Sequence, residues 1–423
     1  MKPQVAVVGG GWAGCAAALT LVEAGISVTL YEASRTLGGR ARAVELKNMT
    51  LDNGQHILLG AYEQTLQLIQ RLRPPTERDG LWRLPLTLDQ PPEFRLACPR
   101  LPAPLHLLAG LLGARGLSWR EKLAAARWAH AVLHEAHSPD LLTVSQFTRS
   151  QPERLRRLLW HPLCVSALNT SPETASARVF ADVIRAAFGG RVHHSDLLLP
   201  RHDLTTLFPA PAAARLRELG GDVQLSSRVT SLDAAGDAVT LETRTGKARY
   251  SHVILAVAPQ HVDGLAATVP ELASTARDVA GYGYQPIATG YVQYDPDFQL
   301  GRPLLALSEG PAQFVFDRGQ SHGQSGLLAY VASAASDLRA DWLDRAEGQL
   351  RRIVEPGSSR WRESIIEKKA TFACVPDMAR PVVRTAHPRL FLAGDYTAGP
   401  YPATLESATR SGVQSAGTLL EQL

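Results

Sequence analysis

Near the start of the chain, Gly9-Gly10-Gly11-Trp12-Ala13-Gly14 carries the spacing G-x-G-x-x-G. In such a loop Gly9 permits the tight turn, Gly11 lets backbone approach a pyrophosphate, and Gly14 lets a helix pack closely, with Trp12 and Ala13 in its first turn. A helix starting there aims free N–H groups and the positive end of its dipole at phosphates. Glu32 stands eighteen residues after Gly14. A carboxylate in that place accepts hydrogen bonds from a ribose 2′-hydroxyl and repels a 2′-phosphate. The glycines alone also fit a structural turn, but here strand, helix and acid stand in the right order around them. The pattern predicts a dinucleotide site.

The elements that must hold this loop surround it. Residues 5–8 are an apolar run ending in glycines, as in a buried parallel strand. Residues 13–24 predict a helix closed by Gly25, and residues 27–32 a second strand, joined by a right-handed crossover. Residues 61–72 predict a helix that stops at Pro74-Pro75. From there to about 199 the sequence is Pro-punctuated, Arg-rich and helical, with few strand signals. Within it, Ser118-Trp119-Arg120-Glu121 has the form of a capping box opening a helix toward His134. Residues 212–219 predict a helix, and 223–225, 239–243 and 253–256 strands. Further strand candidates are 289–294 and 327–332, and a strand at 390–393 and a helix at 404–419 close the chain. The nucleotide-binding domain is therefore expected in three pieces, 1–75, 200–260 and 371–423. A helical, membrane-facing insertion over 76–199 and a mixed-sheet substrate domain over 261–370 separate them.

A length of 423 residues suits two domains. Composition is that of a folded globular chain, 45% hydrophobic and 20% charged. Lys and Arg (44) nearly balance Asp and Glu (40), and no basic block with interleaved aromatics occurs, so no nucleic-acid partner is expected. Cys15, Cys98, Cys164 and Cys374 lie far apart, without metal-ligand spacing, so neither a metal site nor a disulfide framework is expected. Strand-like sequence begins at Gln4 where a signal peptide would stand, and no apolar run reaches the roughly 20 residues that span a bilayer. A reduced, cytoplasmic setting is expected, with any membrane contact peripheral. Residues 101–112, Leu-Pro-Ala-Pro-Leu-His-Leu-Leu-Ala-Gly-Leu-Leu, followed by Arg115, Arg120 and Lys122, bear on that contact. Two readings stay open: a core helix of the substrate domain, or a segment over 101–122 that dips into one leaflet and that Leu108→Asp and Leu111→Asp would disable.

Two further motifs bear on which dinucleotide is bound. Glu32 leads into Ala33-Ser34-Arg35-Thr36-Leu37-Gly38-Gly39-Arg40-Ala41, and Leu392-Ala393-Gly394-Asp395 precedes Tyr401-Pro402-Ala403-Thr404 at the start of the last helix. In these motifs and their order the chain resembles the FAD-dependent amine oxidase and phytoene desaturase superfamily. The resemblance implies FAD as cofactor and an α/β fold: a Rossmann-type, glutathione-reductase-like FAD-binding domain with an inserted α+β substrate domain. It implies that Ala33, Gly38, Gly39 and Arg40 lie along the cofactor and that Gly394 and Asp395 serve its ribityl and phosphate region. Pro402, Ala403 and Thr404 would open the helix that points at the isoalloxazine, and Val229 would offer its backbone to adenine.

Asp52-Asn53-Gly54-Gln55-His56-Ile57-Leu58-Leu59-Gly60-Ala61-Tyr62 resembles the squalene-associated FAD-dependent desaturases, the hydroxysqualene dehydroxylases of hopanoid biosynthesis. So do Trp160-His161-Pro162-Leu163 with Ala167-Leu168-Asn169-Thr170, and Leu199-Pro200-Arg201-His202-Asp203-Leu204. This resemblance implies that Asn53, Gly54, Gln55 and His56 lie against the flavin, and that the substrate is the apolar isoprenoid hydroxysqualene. The implied reaction removes its hydroxyl reductively: an allylic C–O bond ionises and a hydride arrives from flavin N5, with an electron donor the chain does not identify. A proton donor near the leaving oxygen would speed that step, and a water-excluding cavity would protect the cation. His56, with Gln55 beside it, is the candidate donor because imidazole titrates near neutrality. The competing reading has both residues only positioning the cofactor. Asn169, His161, Arg201 and His202 are further candidates. The rivals are a carotenoid desaturase, an amine oxidase (where an aromatic cage and often a lysine are expected by the flavin), and a non-catalytic prenyl-lipid escort. The implied setting is the cytoplasm, peripheral to the inner face of a bacterial inner membrane.

Overall fold

The computed structural model describes residues 3–74, 80–134 and 139–423; the expected boundary between 75 and 76 lies outside them. Five parallel strands form the central sheet, in the order Asp222–Gln224, Ser27–Tyr31, Gln4–Val8, His252–Leu255 and Leu390–Leu392. Alternate side chains of the first strand serve two cores. Val5 and Val7 pack under the helices Trp12–Glu23 and Leu405–Leu420. Ala6 and Val8 pack under an antiparallel sheet of Val229–Asp233, Val239–Thr243 and Gly246–Tyr250. Because both faces are covered, these strands read as continuous apolar runs. A Cβ at Gly412 would run into the Ala13 carbonyl, so glycine is what lets the last helix approach the first so closely.

The start of the last helix is anchored twice. Thr404 caps it, its Oγ1 accepting from Ser407 N–H at 3.1 Å. The fully buried Glu406 carboxylate accepts from Gln64 N–H (3.1 Å) and Thr65 N–H (2.9 Å), two of the free donors that open helix Glu63–Arg71.

A second, antiparallel sheet runs Leu304–Ala306, Phe314–Asp317, Leu327–Ala332, Tyr284–Gln293, Trp361–Phe372. Its inner face sets Tyr291, Phe316 and Ala329 against Leu51 and Leu199. The segment 76–199 departs from the helical expectation. Leu81–Leu84, Thr87–Gln90, Phe94–Ala97 and Leu197–Pro200 are strands, the last pairing with both Leu58–Leu59 and Leu81–Leu84. Strands of four residues, punctuated by Pro85 and Pro91-Pro92, are too short for a period of two to stand out. The capping box is present: Ser118 N–H donates to Glu121 Oε2 (2.7 Å) and Glu121 N–H to Ser118 Oγ (3.4 Å), opening helix Trp119–His134.

Helix Leu105–Leu112 splits the pair of leucines expected to face lipid together. Leu108 is 45% exposed, whereas Leu111 is 8% exposed and packs inward. All four cysteines are free and buried. Among the described residues no helix is long and apolar enough to cross a membrane.

Candidate functional site

Gly9 turns the chain at the end of the first strand with φ +113°, and its N–H donates to Tyr31 O at 2.8 Å. A Cβ at Gly14 would strike the Gly9 carbonyl oxygen, so only glycine lets the helix begin this close to the turn. Gly38, also at φ +113°, donates its N–H to Gly10 O at 2.8 Å, which ties the second glycine turn onto the first. The Glu32 carboxylate is clamped where the two meet: Oε2 accepts from Gly10 N–H and Oε1 from Ser34 N–H, both at 2.7 Å. Trp12 Nε1–H donates to Ala41 O at 3.0 Å, holding the far side of the second turn.

These turns form one end of a cavity of about 1320 Å³. Every residue expected to touch the cofactor lines it except Gly14, which packs one layer behind against Gly9. Arg40 and Asp395, expected to serve the cofactor separately, bind each other: Nη2 to Oδ1 is 2.6 Å, and Arg40 Nη1 donates to Ala370 O at 2.7 Å. The pair locks the second glycine turn to a motif 355 residues away. Arg380, which no sequence pattern singled out, staples the loop between Asp395 and the last helix. Its guanidinium donates to the carbonyls of Asp395 (2.7 Å), Tyr401 (2.8 Å) and Gly399 (3.0 Å).

The arrangement fits FAD. A helix N-terminus with free N–H groups meets the cavity for the pyrophosphate. Beside it, a Cβ added at Gly11 would find only Gly39 Cα, at 3.9 Å, so backbone lies open to a ligand. Glu32 stands at the strand end where a ribose diol is bound.

His56 and Gln55 line the same cavity. His56 Nδ1 lies 2.7 Å from Gly54 O. A carbonyl only accepts, so Nδ1 carries the proton and the neutral ring leaves Nε2 as an acceptor. Burial, with Arg40 nearby, pulls the His56 pKa below its ordinary value, against the Gly54 bond. The neutral ring is thereby favoured over its ordinary balance. Gln55 is oriented by a residue that sequence reasoning missed. Arg318, 0% exposed, donates from Nη1 to Gln55 Oε1 (2.8 Å) and pairs with Asp52 Oδ2 (3.4 Å), while Nε donates to Gln324 Oε1 (2.6 Å). Burial pushes the Asp52 carboxyl up to about 6, although Arg318 and the Leu204 N–H pull it down.

The other candidates separate. Asn169 lines the cavity, but its amide is spent on Thr371 Oγ1 (2.9 Å), Gln285 O (3.3 Å) and Ala334 N–H (2.6 Å), a structural clamp. His161 also lines it, with Nε2 buried and unpartnered. Arg201 lies exposed over the Trp82 ring, and neither it nor the exposed His202 reaches the cavity. Away from the glycine turns the wall is largely apolar, with Leu86, Leu88, Phe94, Ile184, Phe188 and Phe314, although Arg157, Glu173 and Gln313 also line it; no lysine lines the cavity among the described residues.

Residues 12–420 match the family described as flavin containing amine oxidoreductase. The chain is 27% identical to hydroxysqualene dehydroxylase of Sinorhizobium fredii, covering 100% of this chain and 99% of that protein. It is likewise 27% identical to hydroxysqualene dehydroxylase of Rhodopseudomonas palustris, over 99% of each. In three dimensions it superposes on cyclohexylamine oxidase from Brevibacterium oxydans with a TM-score of 0.73 at 17% identity, covering 100% of this chain and 99% of the other.

Proposed function

The chain belongs to the flavin containing amine oxidoreductases, enzymes that use FAD, and within them we propose that it removes the hydroxyl of hydroxysqualene reductively to give squalene. The observation that carries the proposal is the cavity: a cofactor end of glycine turns continues into a largely apolar wall, with no lysine lining it among the described residues. Similarity along the whole length to proteins named for this reaction supports it. The change consumes one hydride and one proton, breaks the C–O bond and releases water. Reduced FAD, when bound, supplies the hydride; its electron donor is unidentified. The apolar wall excludes the water that would recapture an allylic cation. A lipid substrate also fits a chain that works in the cytoplasm at the inner face of a bacterial inner membrane, touching it through residues 101–122. Anaerobic incubation of the chemically reduced holoprotein with hydroxysqualene should yield squalene. Turnover of phytoene or an amine without squalene would discard the assignment.

His56 is the proposed proton donor to the departing oxygen. Donation requires the imidazolium, and the neutral ring is favoured, so turnover should climb as pH falls below the usual histidine range. His56→Ala should keep the flavin absorbance, lose about 10²–10⁴ in turnover and flatten that limb of the pH profile. A variant that instead loses flavin while its remaining holoprotein turns over normally would reduce His56 to a positioning residue.

A further inference from the structure

We infer that the outer face of residues 100–127 is an interfacial docking surface for a bilayer carrying anionic lipid, lying over the apolar end of the cavity; this rests on the lipid-substrate reading above. Of the fourteen large apolar side chains exposed among the described residues, six fall between 101 and 123: Leu101, Leu105, Leu108, Leu112, Trp119 and Leu123. Leu105, Leu108 and Leu112 follow i, i+3, i+7 spacing on one face of their helix, while His106, Gly110 and Leu111 turn inward. On the next helix Trp119 is 71% exposed, and Leu123 follows it by one turn. Contiguous apolar exposure of this kind marks a contact surface.

Charge selects the partner. Arg100, Arg115, Arg120, Lys122 and Arg127 share this stretch with a single acid, Glu121. That carboxylate is occupied by Ser118, accepting from its N–H (2.7 Å) and Oγ–H (2.8 Å). Lys122 Nζ donates to Leu112 O at 2.7 Å and lies 5.0 Å from the Trp119 ring, which joins the two helices on the exposed side. Cations interleaved with leucines and a tryptophan suit anionic headgroups above an acyl layer. The Leu105–Leu112 helix spans only about 12 Å, against a hydrocarbon core of about 30 Å, so it lies in the interface plane.

The inner side of this helix explains the location. It packs on strand Phe94–Ala97, whose Phe94 lines the cavity. His106 Nε2 pairs with Ser195 Oγ at 3.1 Å, and Ser195 lines the cavity as well. A single layer of side chains, Phe94 and Ser195 among them, therefore lies between this helix and the cavity.

The test mixes holoprotein with phosphatidylcholine vesicles, with and without phosphatidylglycerol, and sediments them. Wild-type protein should bind the phosphatidylglycerol vesicles and be released by salt. The variant Leu105→Ser/Leu108→Ser/Trp119→Ser should lose roughly 100-fold or more in partitioning, with flavin absorbance and melting temperature unchanged. Arg115→Glu/Arg120→Glu should weaken binding to anionic vesicles specifically. Equal binding by the triple variant and wild type overturns the inference. So does wild-type protein that stays in the supernatant, or a wild-type dimer that the triple substitution dissociates while neither protein binds vesicles. Vesicle binding is read without substrate, so its failure leaves the dehydroxylation reading standing, and a bound enzyme that makes no squalene counts against that reading alone.

Discussion

Gly14→Val is expected to purify colourless and to melt well below the parent protein. Any Cβ at this position meets the Gly9 carbonyl oxygen and carbon, which are backbone and cannot swing aside. Relief requires moving either the glycine turn or the first helix, and that helix is pinned by the last one through the close approach at Gly412. Forcing bulk into such a contact typically costs about 1–3 kcal/mol. The displaced loop also loses the alignment of its N–H groups with a pyrophosphate, so FAD affinity should fall at least 100-fold. Gly11→Ala separates the two effects. Its methyl group has room against the protein, the nearest atom being Gly39 Cα at 3.9 Å, and it would intrude only on the ligand. That variant should fold normally and hold FAD weakly. Visible absorbance and melting curves of the two variants check this; a yellow Gly14→Val protein with an unchanged melting temperature would sink it.

The contrast shows which parts of the site are legible along a chain. Gly9, Gly11, Gly14 and Glu32 do their work within a continuous βαβ unit, where spacing and turn chemistry are local and visible. The Arg40–Asp395 pair is not local: each residue stands in a recognisable motif, but only folding reveals that they neutralise one another. The strands between Leu81 and Ala97 hid because each is four residues long. His56 was visible, whereas its burial, which pulls its pKa down, was not. Arg318 hid best. In a chain with 44 Lys and Arg it reads as one more surface cation, and its burial depends on Asp52 and Gln55, which stand 266 and 263 residues away along the chain.

That hidden residue supports the second large effect. Arg318→Met should destabilise the protein by up to about 3 kcal/mol at pH 8, because it takes away the cation that favours ionisation of the buried Asp52 carboxyl. Arg318→Met/Asp52→Asn should recover most of the loss, since a neutral pair of similar shape strands no charge. Acidity sharpens the test. Asp52 titrates in the folded wild type at about 6, above its ordinary value of 3.8, so the folded state holds this proton more tightly than the unfolded chain. Its contribution to stability is therefore fully present below about pH 4 and lost as pH rises through about 6. Removing Arg318 takes away a cation that pulls this carboxyl down, so in the variant its pKa moves higher still. Above pH 6 the folded variant keeps a proton that the wild type has released, until its own raised pKa is passed. Over that interval the difference in stability should grow by about 1.4 kcal/mol per pH unit, and near pH 4 it should nearly vanish. Urea melts of the four proteins of this cycle across pH 4 to 8 measure both trends. A loss that is constant with pH, or that the double substitution does not relieve, would mean that Arg318 stabilises the fold through packing on Tyr291 rather than through Asp52.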